Sequence, residues 1–569
     1  MALVINTNVS SLTAQRALAE SSEELKTAME RLSTGSKINS AADDAAGLAM
    51  TQRMTAQVRG LAMAVKNAND GQALTQSIEG ALGEVSDMLQ RMRELALQAA
   101  NGTNSSADRT FLQSEVNLLI QEISRVSAST RYNGELILDG TFLNKALQVG
   151  IEEGENIIFS VESVAAENVG AHTLVGEGVG ARAASADPLA NPTTEADDIE
   201  IFGFLGTKST SASAGDTAKE TAVKVNNLTG ETGVKAYAKT FASLESTSSA
   251  QKTYSVKING YTTGNFVISS GDVESAVDAI NQISGSTGVT ASSNNNKVVL
   301  FDSDGDDITV ENLQTLSGFS DLRVAKLGED GLVTNVVGSA IDLAVSGGTD
   351  STRVTGTLKL VSPNPFSVDQ KAATAAAGIL LNDAGIADGD TTLTFDAGHG
   401  LAVGASFTIA GEVGGPTHYV TGVSGNDITF VPALVNGHGV SDNDAITIGT
   451  ETPGYYADGS STATLKNLTE IRINTAVLAG DSISIIDAAL DKVAQMRSDL
   501  GAIENRLAYT VSNLMNIAEK TADARSRLDD ADFALESARL AKSQVVQQAG
   551  TQMLAQANQM TQLVLDLLR

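Results

Sequence analysis

The run FDSDGDDITVEN, Phe301 to Asn312, is the densest group of potential metal ligands in the sequence. Asp302, Asp304, Asp306 and Asp307 could offer carboxylate oxygens to a calcium ion. An EF-hand loop needs its glycine at the sixth position, however, and Gly305 is the fourth residue from Asp302. The spacing predicts a tight Asp-Gly hairpin turn instead. GEGVG, Gly176 to Gly180, has the glycines of a phosphate cradle but not the strand-then-helix context, and it reads as a flexible connector. His172, His399, His418 and His438 show neither HxxxH nor HExxH spacing; the last three could converge in the β-rich insertion, but they read as surface turn residues. Asp43 and Asp44 adjoin as an acid pair would, yet they stand where a helix begins and read as cap residues. Nowhere do a nucleophile, a base and an oxyanion donor come together. The expectation is a non-enzyme with no cofactor and no metal.

Composition narrows the class further. The 569 residues carry a formal net charge of -30 and no cysteine, so disulfides and thiolate chemistry are excluded. That charge opposes nucleic acid as a partner, because phosphate affinity needs clustered Lys and Arg. Tryptophan is absent and aromatics make up 4% of the chain, too few for base-stacking platforms. The start, MALVINTNVSS, lacks a basic region followed by an apolar one, and no run approaches the roughly 18 apolar residues of a membrane span. Neither a cleaved signal nor membrane insertion is expected.

The elements that would position any site fall into three zones. All seven prolines lie between Pro188 and Pro453, leaving both ends free to be helical. Near the start, Leu18, Leu25, Met29 and Leu32 recur on one helical face. A second run, Met54 to Val65, continues after NANDG through Ile78, Leu82, Val85, Leu89 and Met92, and a third covers Leu112 to Val126. The close repeats this pattern in Ile486 to Ala518 and again in Val546, Ala549, Met553, Ala557, Met560, Val564 and Leu567. Such amphipathic helices are marginal alone and need partners for their stripes. The middle is acidic and β-rich, with VNNLTGETGV (225–234) repeated as INQISGSTGV (280–289) at an offset of 55, which implies two related α/β modules. Residues near 371–455 read as a Gly-rich β sandwich or barrel.

Four stretches then meet a known family. MALVINTNVSSLTAQRAL, RLSTGSKINSAADDAAGLAM, QRMRELALQAANGT and SQVVQQAGTQMLAQANQMTQLVLDLLR together resemble bacterial flagellin, in family order and at both ends. The resemblance covers about residues 1–175 and 470–569. The two repeats are similar to the module often inserted between flagellin ends, whereas 371–455 carries no resemblance. The implied fold is an α+β multidomain chain, with α-helical coiled-coil and rod domains built from both termini and β-rich outer domains from the middle. Residues 1–44 and 525–569 would form the inner coiled coil, and 45–175 with 470–524 a helical rod with a β-hairpin. Residues 176–370 would form outer α/β modules, with the repeat at about 205–260 and 261–330, and 371–469 the outermost β insertion.

The resemblance implies a structural subunit that polymerises into the flagellar filament used for motility, extracellular and exported without a cleaved signal peptide. Implied partners are copies of itself, the flagellar export apparatus and chaperone, the filament cap protein, hook–filament junction proteins and host innate immune receptors. Leu12, Leu18, Leu25 and Leu32 with Val546, Met553, Met560, Val564 and Leu567 are expected to carry assembly. Arg91, Leu95 and Glu115 match the positions read by the Toll-like receptor, and Leu565, Leu567 and Leu568 resemble the segment read by the cytosolic sensor, although Asp566 interrupts it. Gly35, Ser40, Asp43 and Asp44 form the expected joint between layers. Gly35 would end a helix in the left-handed conformation, Ser40 to Asp43 would be a capping box opening the next, and the joint would gain its order in the filament. Other readings of the same residues are a hook–filament junction protein, a filament protein with an adhesive glycan-binding outer domain, or an enzyme domain within 371–455. The LAQANQ to LLR close favours flagellin.

Overall fold

The computed structural model describes residues 8–566 apart from 185–186, 194–196, 249, 270, 295, 316–320, 346–349, 371–389, 395–405, 410–417, 425–426, 432–445, 449–453 and 457–459. At 406–408, 419–424, 431, 446–448, 460 and 560–566 the description is of backbone alone. The architecture is α+β multidomain. Long helices α1 (Val9–Thr34), α2 (Ala45–Ala100) and α3 (Ser106–Ser129) open the chain. Short helices α4 (Ala218–Asn227), α5 (Thr229–Thr232), α6 (Glu274–Asn281) and α7 (Ser284–Thr287) punctuate the β-rich middle. Helices α8 (Ala476–Asp529) and α9 (Phe533–Asp566) close it. The chain forms two compact units, one of Met1–Gly80, Tyr132–Glu162 and Arg497–Arg569, the other of Ala81–Arg131 and Ser163–Met496.

In the first unit, the early part of α2 packs antiparallel on the late part of α8. Leu61 and Ala64 meet Leu514, while Ala68 and Leu507 close on Val149 and Ile157 of a hairpin that pairs Lys145–Gln148 with Asn156–Phe159. Helix α2 runs through Asn67–Gly71 without a break. Glycine in a helix interior costs about 1 kcal/mol against alanine. At Gly71 the reason is contact, since a Cβ there would stand 2.5 Å from the Leu147 Cδ1 and 3.3 Å from that of Leu507.

In the second unit, α2 buries Leu82, Val85, Leu89, Met92 and Leu95, α3 buries Val116, Ile120 and Ile123, and α8 buries Ile486, Ala489 and Val493. Ser105 caps α3 in a reciprocal box with Asp108, and Arg93 pairs with Asp487 at 2.5 Å. The central sheet runs in the order 289–294, 297–302, 235–246, 357–362, 170–176, 464–467, with 322–327 and 336–343 joined through 235–246. The repeat has a physical basis. Asn226 donates to the Ala236 carbonyl at 2.9 Å and accepts from its amide at 2.8 Å, and Asn281 makes the same two bonds to Ala291. In each copy a glycine, Gly233 or Gly288, sits at φ +75 before the strand. The residues that look alike are thus the ones that turn a helix end into a strand.

Several expectations are corrected here. The Asp-Gly turn is not a hairpin: Lys297–Asp302 and Ile308–Asn312 belong to different sheets. Asp302 Oδ1 accepts from the amides of Asp304 at 2.9 Å and Gly305 at 3.1 Å, and Lys219 Nζ neutralises Asp304 and Asp306 at 3.1 and 2.8 Å. GEGVG is no loose connector, because it wraps the buried Lys326 ammonium. That Nζ donates to the carbonyls of Glu177, Val179 and Gly356 and to the Thr355 hydroxyl. His418 is not a turn residue: it is buried in the strand His418–Ser424 with its ring edge against Phe430. His172 lies in the strand Gly170–Gly176, where burial pushes its pKa down, and His399 and His438 lie outside the described residues. Among the described residues, the 371–455 region forms one five-stranded antiparallel sheet. Its return boundary moves earlier, since Ser460–Thr462 pairs with Ser367–Asp369 and Thr464–Asn467 with Gly170–Thr173.

Candidate functional site

Helix α1 begins where Asn8 accepts from the Ser11 amide at 3.0 Å, and it ends at Gly35, φ +76, whose amide returns to the Arg31 carbonyl. Its partner is α9, antiparallel, and the seam between them has heptad spacing. On α1 the seam residues are Ser11, Leu18, Leu25 and Leu32 alternating with Ala14, Ser21 and Ala28, all buried or half-buried. On α9 they are Glu536, Ser543, Gly550 and Ala557 alternating with Leu540, Gln547 and Leu554. Small and polar residues stand between the leucines of this contact. Ser21 Oγ donates to the Ser543 carbonyl at 3.1 Å, Ser11 Oγ to Asn558 at 3.0 Å and Asn8 to the Ala557 carbonyl at 3.0 Å. A Cβ on Gly550 would touch Leu18 at 3.2 Å, so the backbones approach closely there.

The assembly residues expected from the sequence therefore separate into two sets. Leu18, Leu25 and Leu32 face α9 inside the chain, whereas Leu12, Val546 and Met553 are exposed, together with Val9, Met29, Leu535 and Val545. The side chains of Met560 and Val564 are outside the described residues, as is all of Leu567. The α1 stripe of Leu18, Leu25 and Leu32 does face α9, and Ala557 of the α9 stripe is half-buried, while Val546 and Met553 lie one residue round from the α9 seam. Half of the α9 seam, Glu536, Ser543, Gly550 and Ala557, is a sevenfold recurrence of a carboxylate and small residues, which hydrophobicity alone does not mark.

At the end of α1 the charges converge. Buried Glu536 accepts from Arg31 at 3.4 Å and Arg539 at 2.8 Å, and Arg31 also reaches Asp43 at 3.7 Å. The joint that follows is tied to the turn between α8 and α9. The Lys37 amide donates to the Asp529 carbonyl at 2.5 Å and the Ala531 amide to the Gly35 carbonyl at 2.9 Å, while Ile38 is buried. Partners for the joint thus exist within one chain, which the expectation of order only in the filament did not include. The capping box also shifts. Ser40 and Asn39 both donate to Asp43, closing a turn and holding that carboxyl below the usual range, and it is Asp44 that caps α2 by accepting from the Gly47 amide at 2.9 Å.

In the second unit, Arg91 and Glu115 are accessible and paired at 2.8 Å across α2 and α3, the Glu115 bond raising the Arg91 pKa. Leu95 is 1% exposed. It belongs to the inner stripe with Met92 and Ala99.

The terminal helices close on each other through leucines set among small and polar residues and still leave apolar residues uncovered on both. Residues 5–143 match the bacterial flagellin N-terminal helical region and residues 483–568 the bacterial flagellin C-terminal helical region. The B-type flagellin of Pseudomonas aeruginosa is 32% identical over 573 residues, covering 100% of both chains, and so is the flagellin of Salmonella typhimurium. The flagellar hook associated protein-3 from Legionella pneumophila aligns over 84% of this chain and 98% of its own, at 13% identity and a TM-score of 0.31. The chain belongs to the flagellin family, the structural subunits of the extracellular bacterial flagellar filament.

Proposed function

We propose that this subunit polymerises by burying the outward faces of α1 and α9 against neighbouring copies, with Leu12, Val546 and Met553 as anchors and, by sequence spacing alone, Met560, Val564 and Leu567 as further ones. The observation that carries the reading is the division of the apolar residues: Leu18, Leu25 and Leu32 pack in the seam among Ser11, Ser21, Ala28 and Ser543, while Leu12, Val546 and Met553 stay in solvent. Exposed apolar stripes of this kind are interaction surfaces. Gly35, Asp43 and Asp44 hold the joint between the α1/α9 pair and α2. The role is structural rather than catalytic. Export by the flagellar apparatus with a chaperone, without a cleaved signal, and growth beneath a cap protein from a hook–filament junction complete the reading.

Deleting residues 546–569 in an export-competent strain tests it: the truncated chain is secreted and forms no filament. Normal filaments from that chain would show that the stripes serve internal packing alone. For host recognition the reading keeps Arg91 and Glu115 as the accessible contacts, with Leu95 supporting them from behind. Purified monomer then activates a Toll-like receptor reporter, and Arg91→Glu reduces the signal. No signal from the parent chain would remove that part.

A further inference from the structure

In the second unit the central sheet and the start of α8 do not close on each other completely. Between them lies a cavity of about 150 Å³. Its floor is one face of two paired strands, where Tyr237 stands opposite Lys359 and Lys239 opposite Thr357. Its cover is α8, which presents Gly480, Ile483 and Ser484 at helical spacing. Ile483, the Tyr237 ring and the methylene stems of the lysines make its walls apolar. Glycine inside a helix is unfavourable against alanine, and at Gly71 a close neighbour accounts for it. At Gly480 no neighbour does, since an added Cβ would meet no atom within 4 Å. Glycine at this position keeps the space open.

The charges around the cavity answer one another. Lys239 pairs with Asp481 at 2.7 Å, Lys359 with Glu329 at 2.5 Å, and Asp487 at the rim with Arg93 at 2.5 Å. An ionic guest would have to break one of these pairs, so the cavity favours a neutral one. Two hydroxyls lining it have no hydrogen-bond partner among the described residues, that of Thr357, 3% exposed, and that of Tyr237. A buried hydroxyl without a partner is costly, and a guest that supplies one recovers the loss. An engineered apolar cavity of about 150 Å³ admits one benzene ring, which sets the size of guest. We propose that this cavity binds a small neutral aromatic alcohol, its ring against Ile483 and Tyr237 and its hydroxyl bonded to Thr357. A guest so placed touches sheet and helix together and holds α8 on the sheet.

Four probes of one size test this on the full-length monomer at pH 7: benzyl alcohol, toluene, benzoate and benzylammonium. In saturation-transfer NMR titrations benzyl alcohol binds with a dissociation constant of about 1 mM, as befits so few atoms, and both ions bind about tenfold or more weakly. Gly480→Phe, which puts a ring of its own into the space, abolishes binding, while Gly480→Ala retains it. Thr357→Val weakens benzyl alcohol by about five- to tenfold and leaves toluene as in the parent. Absence of saturable benzyl alcohol binding up to about 10 mM overturns the proposal, as does equal binding of either ion. Undiminished binding by a folded Gly480→Phe chain would place the guest elsewhere and overturn it too. Should circular dichroism show that Gly480→Phe does not fold, the Thr357→Val comparison decides alone: benzyl alcohol bound as well as by the parent refutes the site.

Discussion

Replacing Leu12, Val546 and Met553 together by glutamine removes apolar surface without touching the α1/α9 seam. In the single chain these side chains are 56%, 42% and 64% exposed. Fully burying a residue of this size contributes about 1.5–3 kcal/mol, so covering only what is now exposed is worth up to roughly 2.5–5 kcal/mol for the three together. At about 1.4 kcal/mol per tenfold, the critical concentration for polymerisation rises by roughly 60-fold to 4,000-fold. Glutamine is a good helix former, so the monomer's helices are not weakened by propensity. The assay is sedimentation after seeded growth across a concentration series, with a circular-dichroism melt of the monomer alongside. A critical concentration within about threefold of the parent refutes the reasoning. So does a monomer destabilised enough to account for the loss, because that would make these residues part of the chain's own core.

Three further outcomes follow from the packing. Asn226→Ala removes both hydrogen bonds to Ala236 and lowers the stability of the outer module by about 1–2 kcal/mol in calorimetry, more than Asn281→Ala, whose site is exposed. Lys326→Met strands the carbonyls of Glu177, Val179 and Gly356 and costs about 3 kcal/mol of that module while filament growth persists. Burial also pushes the Lys326 pKa down to about 7, below its unfolded value, so the unfolded chain binds more protons above pH 7; the parent module therefore gains stability from pH 7 to about pH 9, and the variant loses that slope. At the joint, Asp44→Ala removes the α2 cap and weakens its first turn by about 1 kcal/mol. Asp43 has a depressed pKa, chiefly from the Ser40 donors, so its contribution is present above the usual carboxylate range and is lost as pH falls through the folded value; hydrogen exchange at residues 36–43 speeds up on acidification, and Asp43→Asn abolishes that dependence.

The long helices were legible because proline is missing from both ends and the apolar residues keep a three-four spacing over many turns. The 55-residue repeat was legible because an Asn that clamps the following strand and a glycine at positive φ are both needed to make the turn. Glycine-rich and acidic segments were misread for one shared reason. Gly176–Gly180 and Asp302–Asp307 take their meaning from Lys326 and Lys219, distant in sequence, and a local pattern does not announce a distant ammonium. The helix cap moved from Ser40 to Asp44 because the Ser40–Asp43 pair closes a turn of its own, using the same donors a capping box would use. In the candidate site the apolar stripes were visible, but not which of them the chain consumes itself.

That last distinction follows from what a polymer subunit requires. If Val546 and Met553 filled the seam against Leu18 and Leu25, the monomer would gain several kcal/mol and offer nothing to its neighbours. Ser21, Ala28, Ser543 and Gly550 do the opposite: they allow close approach, so the pair closes on Leu18, Leu25 and Leu32 without using Leu12, Val546 or Met553. The buried Glu536 between Arg31 and Arg539 adds register, since a carboxylate left there without both partners would be costly. Substituting leucine at Ser543 and Gly550 therefore overpacks a seam whose backbones already lie close, since a Cβ on Gly550 alone stands 3.2 Å from Leu18 and Ser543 is buried, and a lower melting temperature of the monomer is the expected outcome in a circular-dichroism melt.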